Sequence, residues 1–398
     1  MTRGGYTRRQ LLAGLSFAAA VAGLDACRAA PTPAPSNQGT PVPTLSGQGQ
    51  SASPASDAAL RRKIASLLVV GFRGQTAGPD DWIVKAIRDE GLGGVILFDR
   101  DQITGTVRNI SSPPQVTSLV RTLRAASAGR LIVSIDQEGG KVARLNPSNG
   151  FPATRSEAEI GAANSSATTR AWAQEIAHML ASSGFTFNFA PVVDLNVNPS
   201  NPAIGKLGRS FSANADVVVA NATEEIQSHR AVGVRTSLKH FPGFGSATGN
   251  TDFGVVDVTA TWRAAELEPF RRLIASGMAD VVMVAHLLNR QLDPTRPASL
   301  SPDVVTGLLR GQLGWTGPVV SDDMQAVAIS SRYGPAQAVT MAIEAGVDLL
   351  VFANQQTFDP NIVTQTVDSI ANLVRSGHIT EARIDESVAR VNTIRPAN

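Results

Sequence analysis

From about residue 58 to its C-terminus, the chain alternates between short apolar runs and longer amphipathic stretches. The apolar runs are rich in β-branched residues and have the length of buried strands, and the stretches between them are long enough for helices. This alternation predicts an α/β protein with parallel strands. The eight predicted strands are "LLVVGF" (67–72), "GGVILF" (93–98), "LIVSID" (131–136), "FTFNFAPV" (185–192), "VRTSLKH" (234–240), "DVVMVAH" (280–286), "GPVVSDD" (317–323) and "GVDLLVF" (346–352).

The number of strand and helix units decides between two parallel architectures. Eight units favour a (β/α)8 TIM-type barrel over a doubly wound sheet, which would normally carry a Gly-rich phosphate turn after its first strand. The turn "GFRGQTAG" (71–78) follows the first strand, but it is a lone Gly-rich turn and weak evidence for such a sheet. We therefore predict a single catalytic barrel domain over residues 58–398.

The N-terminal residues have the pattern of an export signal. Arg8 and Arg9 precede an apolar run over 11–24, which is too short for a comfortable membrane span and resembles a twin-arginine signal. The box "LDAC" (24–27) resembles a lipoprotein processing site, although aspartate is unusual in it. Cys27 is the only cysteine, so the chain has no internal disulfide, and acylation is the simplest interpretation of this residue. A buried helix and a spectator cysteine are the alternatives to this signal peptide over 1–27.

Residues 28–57 are rich in Pro, Ser, Gly and Gln and poor in large apolar side chains. Such a segment cannot bury enough surface to offset the entropy lost on ordering, so it is predicted to be a disordered tether. Together with the export signal, it predicts a protein that leaves the cytoplasm and is lipid-anchored to the cell envelope.

The charge balance excludes one class of function. The chain has 35 basic and 33 acidic residues, a net charge of +2, and no long basic run outside the N-terminus. Electrostatic attraction to nucleic acid therefore has little support. A hydrophobic content of 43% without a second long apolar stretch predicts a globular body, which we expect to be a monomer.

Polar residues follow the apolar runs of four predicted strands: Asp136, His240, His286 and Asp322. These positions are the C-terminal strand ends, where barrel enzymes assemble their sites. One such residue alone is more often a hydrogen-bonded structural group, but the recurrence on four strands favours a functional site. The two histidines lack the close spacing of metal ligands and no third ligand is found, so no metal or other cofactor is predicted.

Five ordered motifs together resemble the family 3 glycoside hydrolases, specifically the bacterial β-N-acetylglucosaminidases: "IDQEGGKVARL" (135–145), "GRSFS" (208–212), "KHFPG" (239–243), "PASLS" (297–301) and "VVSDDM" (319–324). The resemblance covers about residues 60–395. It implies a barrel-only member that is a retaining β-glycosidase. With the N-terminal signal, the prediction is an exported enzyme that acts on a β-linked amino sugar or another hexoside.

The resemblance also implies roles for individual side chains. Asp136 and Arg144 correspond to the family's ligands for the sugar at the cleavage point, and Arg209, Lys239 and His240 correspond to its hydroxyl and acetamido contacts. The residue types fit these roles, because a carboxylate accepts hydrogen bonds from vicinal hydroxyls while Arg and Lys donate to others.

A retaining glycosidase needs a carboxylate that attacks the anomeric carbon and an acid that protonates the departing oxygen. Asp322 corresponds to the family's nucleophile. Asp323 beside it is expected to point to the opposite face if the strand continues, and to be structural.

The loop after "KHFPG" departs from the family pattern. Relatives carry an Asp-x-His pair with the histidine as acid/base, whereas this chain has "NTD" (250–252), and Phe244 stands where relatives usually have histidine. We predict that the loop over 243–254 is a mobile flap and that Asp252 is its proton donor. For that role the pKa of Asp252 has to be raised, by burial against neighbouring phenylalanines or by the Asp322 carboxylate.

Other functions remain open at this stage. The chain could be a sugar-binding lipoprotein without turnover, although a binding protein gains nothing from the bare Asp322 carboxylate. It could also be a β-glucosidase or a glycoside phosphorylase, and Asp252 and Asn250 could merely hold a turn. Peptidoglycan fragments are suggested as the substrate by the envelope location alone.

Overall fold

The computed structural model describes residues 54–127 and 130–397. Its strands within these residues are β1 Leu68–Gly71, β2 Gly94–Ile96, β3 Ile132–Ile135, β4 Gln137–Gly139, β5 Val142–Ala143, β6 Phe187–Asn188, β7 Arg235–Phe241, β8 Val281–Val284, β9 Val319–Asp323 and β10 Leu349–Phe352. Eight of them form a closed parallel barrel in the order β1, β10, β9, β8, β7, β6, β3, β2, and β4 and β5 form a separate antiparallel hairpin.

The barrel confirms the predicted (β/α)8 TIM-type fold. Each of the eight predicted apolar runs coincides with one barrel strand, and only β7 extends past its run, by Phe241. The run over 185–192 is the least regular, because the ladder holds only Phe187–Asn188 and the chain rejoins the barrel through a bridge between Val192 and Lys239. Pro191 lies between the two paired segments, and its missing N–H explains the interruption.

Helices surround the barrel in the part of the chain that the structure describes. They are α1 Pro54–Ala65, α2 Trp82–Lys85, α3 Pro113–Ala126, α4 Glu157–Ala163, α5 Ser166–Ser182, α6 Ala215–Ala231, α7 Glu268–Ala275, α8 Val327–Ser330, α9 Pro335–Ala345, α10 Ile362–Arg375 and α11 Glu381–Asn392, with π-helical segments at Ala86–Glu90 and Asp303–Gln312. None of these described helices is both long and apolar enough to cross a bilayer.

Helix α3 illustrates how the sequence builds this outer layer. The Ser112 side chain accepts a hydrogen bond from the Gln115 N–H and caps the first turn. The buried residues of α3 recur at three- and four-residue intervals and make one face apolar: Val116, Leu119, Val120 and Leu123. Each such side chain contributes about 1.5–3 kcal/mol by leaving water, so this face holds the helix against the barrel.

The first described helix overlaps the C-terminal end of the segment predicted as a tether. Helix α1 starts at Pro54, and Arg375 of α10 donates a hydrogen bond from Nε to Asp57 Oδ1 at 3.0 Å. The predicted signal over 1–27 and the remainder of the predicted tether lie outside the described residues.

Two barrel strands carry an extra residue at the end that bears polar side chains. Leu238 pairs with Val282 and Phe241 with Val284, so β7 has one residue more than β8 over this stretch. The same irregularity occurs in β9, where Val320 and Asp323 face Leu349 and Val351 of β10. A bulge of this kind breaks the alternation of side chains between the two faces. Neighbouring residues at these strand ends can therefore face the same side.

A buried polar layer lies between the barrel and helices α4 and α6. The Val192 N–H donates to Glu157 Oε1 at 2.9 Å, but Glu157 Oε2 and both carboxyl oxygens of Glu225 have no hydrogen-bond partner among the described residues. Burial raises the pKa of both the Glu157 and the Glu225 carboxyl well above the ordinary value. The pKa of Glu157 is raised further by Glu225 and Glu138, and the pKa of Glu225 is raised further by Glu138.

His229 belongs to the same layer and is also neutral. Its Nδ1–H donates to the Glu225 carbonyl oxygen at 2.8 Å, and its Nε2 accepts from Asn188 Nδ2 at 3.1 Å. Burial lowers the pKa of His229 to about 4. The pKa shifts of Glu157, Glu225 and His229 all favour the neutral form, as expected for groups that are far from water.

We predict that the free energy of unfolding falls less steeply with rising pH in Glu225→Gln than in the wild type. Above about pH 4.5 the Glu225 carboxyl ionises in the unfolded chain, while burial keeps it protonated in the folded one. The wild type therefore loses stability as the pH rises, by up to about 1.4 kcal/mol per pH unit for one group, until the pH passes the folded-state pKa. Urea unfolding at about pH 5 and about pH 8 measures this slope.

The matched control is Glu175→Gln on the exposed side of α5, which should keep the wild-type slope. An unchanged slope in Glu225→Gln would mean that Glu225 is ionised in the folded protein, contrary to the prediction.

Candidate active site

A cavity of about 230 Å³ opens at the C-terminal ends of the barrel strands. Its wall is partly apolar, with Phe98, Phe189 and Met283 among the lining residues. The structure brings all seven predicted site residues to this cavity: Asp136, Arg144, Arg209, Lys239, His240, Asp252 and Asp322. Polar groups that converge on one side of a partly apolar cavity are typical of a site for a small polar ligand.

The seven residues come from distant parts of the chain. Asp136 directly follows β3, Arg144 follows the β4–β5 hairpin, and Arg209 lies in the connection between β6 and α6. Lys239 and His240 are adjacent in β7. Both reach the cavity because the bulge in β7 removes the usual alternation at this point.

Glu138 organises the positive charges of the site. Its two carboxylate oxygens accept hydrogen bonds from Arg209 Nε at 2.7 Å and Arg209 Nη2 at 2.8 Å. Lys239 Nζ lies 2.6 Å from Glu138 Oε1 and donates to Asp136 Oδ1 at 2.9 Å. The Glu138 side chain is only 1% exposed. Glu138 was not predicted from the sequence, although it stands two residues after Asp136 in the same motif.

The members of this network hold one another in the charged form. Burial alone would raise the pKa of Glu138, but Arg209 and Lys239 outweigh burial and lower that pKa to about 2. Burial alone would lower the pKa of Lys239, but Asp136 and Glu138 raise it above the ordinary value. The cavity therefore has a fixed array of charges that can donate hydrogen bonds to a ligand or accept them from it.

Arg144 retains donor capacity. Its Nη2 atom lies 3.8 Å from Asp136 Oδ2, which is an ion pair but too long for a hydrogen bond. The buried Nε of Arg144 has no hydrogen-bond partner in the described part of the chain. A guanidinium with unused N–H groups at the cavity wall is suited to a ligand oxygen.

His240 is held in one tautomer by a residue that the sequence did not single out. Its Nδ1–H donates to Asp194 Oδ2 at 2.7 Å, and its Nε2 accepts from Arg209 Nη2 at 3.3 Å. Asp194 also accepts from the Phe244 N–H at 2.7 Å, and the Phe244 ring packs on His240 with centroids 5.6 Å apart. Asp194 thus holds both the His240 imidazole and the backbone of Phe244 in the altered loop.

Asp322 is ionised in this setting. Burial alone would raise its pKa, but the nearby His286 and His240 rings and a hydrogen bond from the Asp323 N–H, at 2.8 Å, hold it below the ordinary value. His286 lies behind the cavity: Ser299 donates to its Nδ1 at 2.6 Å, and its Nε2–H donates to the Asp323 carbonyl oxygen at 2.8 Å. His286 therefore supports the strand end that carries the carboxylate.

Asp323 does not point away from the cavity as the alternation of a regular strand predicted. It lines the same cavity as Asp322, because the bulge in β9 breaks the alternation. Asp323 Oδ1 accepts from the Ala353 N–H at 3.0 Å and the Gln325 N–H at 3.1 Å. Burial, with the nearby Asp322 and Asp252 carboxylates, raises the pKa of Asp323 to about 7.

The loop that carries Asp252 is joined to the strand end that carries Asp322. The Thr251 and Asp252 carbonyl oxygens accept hydrogen bonds from the Ala328 N–H at 3.0 Å and the Val327 N–H at 3.4 Å, at the start of α8. Asn250 Oδ1 accepts from the Asp252 N–H at 2.9 Å and closes a local turn. Helix α8 follows β9 directly, so the backbone itself sets the position of one carboxyl relative to the other.

Burial raises the pKa of the Asp252 carboxyl, and the Asp322 carboxylate raises it further, while Arg209 opposes the shift. The cavity therefore holds Asp322 with a lowered pKa and two carboxyls with raised pKa values, Asp252 and Asp323. Two backbone N–H groups already donate to Asp323 Oδ1, and Asp322 and Asp252 form a pair with opposite shifts. Such a pair can supply a nucleophilic carboxylate and a general acid in the same reaction.

The two glycines at the start of the loop serve close packing in this structure. Gly243 has φ +116°, and a Cβ at Gly245 would lie 1.7 Å from the Leu195 carbonyl oxygen. The Asn201 side chain donates to the Phe244 carbonyl oxygen at 2.7 Å and holds this part of the loop. The mobility of the whole loop stays a prediction.

Within residues 54–127 and 130–397, no group of three or more His, Cys, Asp or Glu side chains is arranged to hold a metal ion.

Comparison with protein families matches residues 59–394 to the "Glycosyl hydrolase family 3 N terminal domain". Among the similar proteins, one named "Beta-hexosaminidase" from Stenotrophomonas maltophilia (strain R551-3) is 36% identical over 304 residues. The match covers 74% of this chain and 85% of that protein.

Solved structures give the same result. A glycoside hydrolase family 3 β-N-acetylglucosaminidase from Paenibacillus sp. str. FPU-7 superposes with a TM-score of 0.75 at 36% identity, covering 84% of this chain and 62% of that one. A β-N-acetylhexosaminidase from Beutenbergia cavernae DSM 12333 superposes with a TM-score of 0.74 at 32% identity, covering 84% of this chain and 97% of that one.

Proposed function

Because the chain belongs to glycosyl hydrolase family 3, we propose that it is a retaining β-N-acetylglucosaminidase that uses Asp322 as nucleophile and Asp252 as acid/base. The observation that carries the proposal is that one cavity holds Asp322, whose pKa is lowered, and Asp252, whose pKa is raised and whose loop is hydrogen-bonded to the helix that follows the strand of Asp322. Asp323 also has a raised pKa, but its Oδ1 already accepts hydrogen bonds from two backbone N–H groups. The names of the similar proteins support N-acetylglucosamine as the sugar.

In the first step, Asp322 attacks the anomeric carbon and forms a glycosyl ester, while Asp252 gives its proton to the departing glycosidic oxygen. The carbon–oxygen bond to the leaving group breaks as the bond to the Asp322 carboxylate forms. In the second step, Asp252 takes a proton from water, and the resulting nucleophile hydrolyses the ester. The product keeps the β configuration of the substrate.

The sugar contacts in this proposal come from the charge network, which consists of Asp136, Glu138, Arg209 and Lys239, together with Arg144 and His240. The Asp136 carboxylate accepts hydrogen bonds from sugar hydroxyls, and Arg144 and Lys239 donate to neighbouring ones. Arg209 and His240 complete the hydroxyl and acetamido contacts. The unused Arg144 Nε and the 3.8 Å gap between Arg144 and Asp136 support this reading, because a sugar oxygen can satisfy both groups.

We further propose that the protein acts outside the cytoplasm, anchored through Cys27, on oligosaccharides of the cell-wall type. This part of the proposal depends on the sequence pattern of residues 1–57, with Arg8 and Arg9 before the apolar run and a single cysteine after it.

A panel of nitrophenyl β-glycosides tests the sugar and the acceptor. The N-acetylglucosaminide should be cleaved faster than the glucoside and the xyloside, and added phosphate should leave the rate unchanged. Acceleration by phosphate would favour a phosphorylase. No turnover of any β-hexoside by the wild type, together with sugar binding, would favour a binding protein.

We predict that a fluorinated substrate analogue, which slows the second step, labels Asp322. Asp322→Asn should abolish the first step but leave sugar affinity nearly intact, since the charge network supplies the binding contacts. Mass spectrometry of peptides from the trapped enzyme locates the ester. A label on Asp323, or an active enzyme without any label, contradicts the assignment.

We predict that Asp252→Asn slows hydrolysis of substrates with poor leaving groups by about 10² to 10⁴-fold and spares activated aryl glycosides, whose departure needs little protonation. Wild-type activity should fall as the pH rises through the raised pKa of Asp252, because the acid is active only while protonated. Steady-state kinetics on both substrate types across pH measure these effects. Equal losses on both types would indicate that Asp252 only holds the turn.

We predict that Cys27→Ala moves the mature protein from the membrane fraction to the soluble fraction, because acylation of Cys27 supplies the anchor. Fractionation of the native host and the intact mass of the purified protein measure this. A variant that stays membrane-bound with an unchanged mass would exclude acylation as the anchor.

A further inference from the structure

An open groove lies beside the active-site cavity and continues from it. Phe253, Ile103 and Arg100 are among the residues that line the groove alone. Gln102, Gln355 and Gln356 line both the groove and the cavity. A ligand that fills the cavity and extends beyond it can therefore enter this groove.

Two large apolar side chains of the groove are unusually exposed to solvent. Phe253 is 72% exposed and Ile103 is 52% exposed. Phe253 is the only aromatic residue among the exposed large hydrophobic residues of the described chain. An exposed aromatic ring beside a functional cavity indicates a binding surface, because water contact with the ring is unfavourable until a ligand covers it.

The groove wall that carries Ile103 is pre-formed. Asp101 Oδ1 accepts from the Ile103 N–H at 3.1 Å and the Thr104 N–H at 2.9 Å, and Arg73 Nε donates to Asp101 Oδ2 at 2.7 Å. The Gln355 side chain joins this turn to the loop after β10: its Oε1 accepts from the Gln102 N–H at 2.9 Å, and its Nε2 donates to the Arg100 carbonyl oxygen at 3.0 Å. Little ordering entropy is then lost when a ligand binds.

Two side-chain amides at the junction are unused. The amides of Gln102 and Gln356 make no hydrogen bond within residues 54–127 and 130–397, although both residues line the groove and the cavity. Each amide offers two N–H donors and one acceptor oxygen. An apolar ring with free amides beside it matches a pyranose, which has an apolar C–H face and hydroxyls around its edge.

We propose that this groove is the leaving-group subsite and that Phe253 binds the apolar face of the sugar on the far side of the scissile bond. The inference rests on the proposed function. Because the acid must reach the glycosidic oxygen, the leaving sugar begins next to Asp252, and Phe253 is the following residue of the same loop. The substrate class is accordingly a β-linked oligosaccharide rather than a glycoside of a small alcohol.

Calorimetric titration of the full protein tests the subsite without relying on turnover. The probes are N-acetylglucosamine, which fills the cavity alone, and a thio-linked, uncleavable N,N′-diacetylchitobiose, which also reaches the groove. We expect the wild type to bind the disaccharide more tightly. Phe253→Ala should weaken disaccharide binding by about 3- to 10-fold and change monosaccharide binding much less, so that the ratio of the two affinities falls towards one.

Val255→Ala is the matched control, because Val255 is two residues beyond Phe253, is 47% exposed and lines neither the groove nor the cavity. It should keep both wild-type affinities, and Phe253→Trp should keep the wild-type ratio. If Phe253→Ala weakened the binding of both ligands equally, the ring would only hold the loop. If it weakened neither, the ring would contact no sugar. Either result overturns the subsite. If the wild type binds neither probe, the proposed sugar class itself is wrong and the subsite falls with it.

Discussion

The site depends on one buried carboxylate placed between two buried cations. Arg209 and Lys239 could not lie at the floor of the cavity without a counter-charge, because the cost of removing an ion from water is several kcal/mol. Glu138 supplies that charge from β4, and it joins the β6–α6 connection to the end of β7. The same contacts leave Asp136 and Arg144 at the cavity wall with capacity for a ligand. The ion network is therefore both the support of the site and its binding surface.

The sequence was sufficient to predict the barrel and the convergence of the seven residues. Strands covered on both faces have near-continuous apolar runs, and the C-terminal ends of parallel strands meet at one rim. Glu138 and Asp194 were not predicted, because their importance comes from partners far away in the chain, Arg209 and His240. The orientation of Asp323 was predicted wrongly, because the bulge in β9 depends on its pairing with β10. A periodic pattern describes a regular strand and cannot show where the register shifts.

The altered loop changes how the two reacting groups influence each other. Asp322 raises the pKa of Asp252 as long as it is ionised. In the proposed mechanism, ester formation removes that negative charge, so the pKa of Asp252 falls just when the second step needs a base. The pKa of a histidine beside the same carboxylate would also fall on ester formation, but from a different ordinary value. The carboxyl can therefore serve both steps, and its dependence on Asp322 makes the change in protonation a consequence of the chemistry.

The contact between the Asp252 loop and α8 also bears on how products leave. Opening the loop breaks the hydrogen bonds from the Ala328 and Val327 N–H groups to the Thr251 and Asp252 carbonyl oxygens, while water can replace both partners. Two such bonds cost about 1–3 kcal/mol net. An open form that lies this far above the closed one would have a population of roughly 0.6–15% at equilibrium. For the mobile flap predicted from the sequence, the closed form would then dominate during the reaction, and the minor open form would let sugars exchange with the solvent.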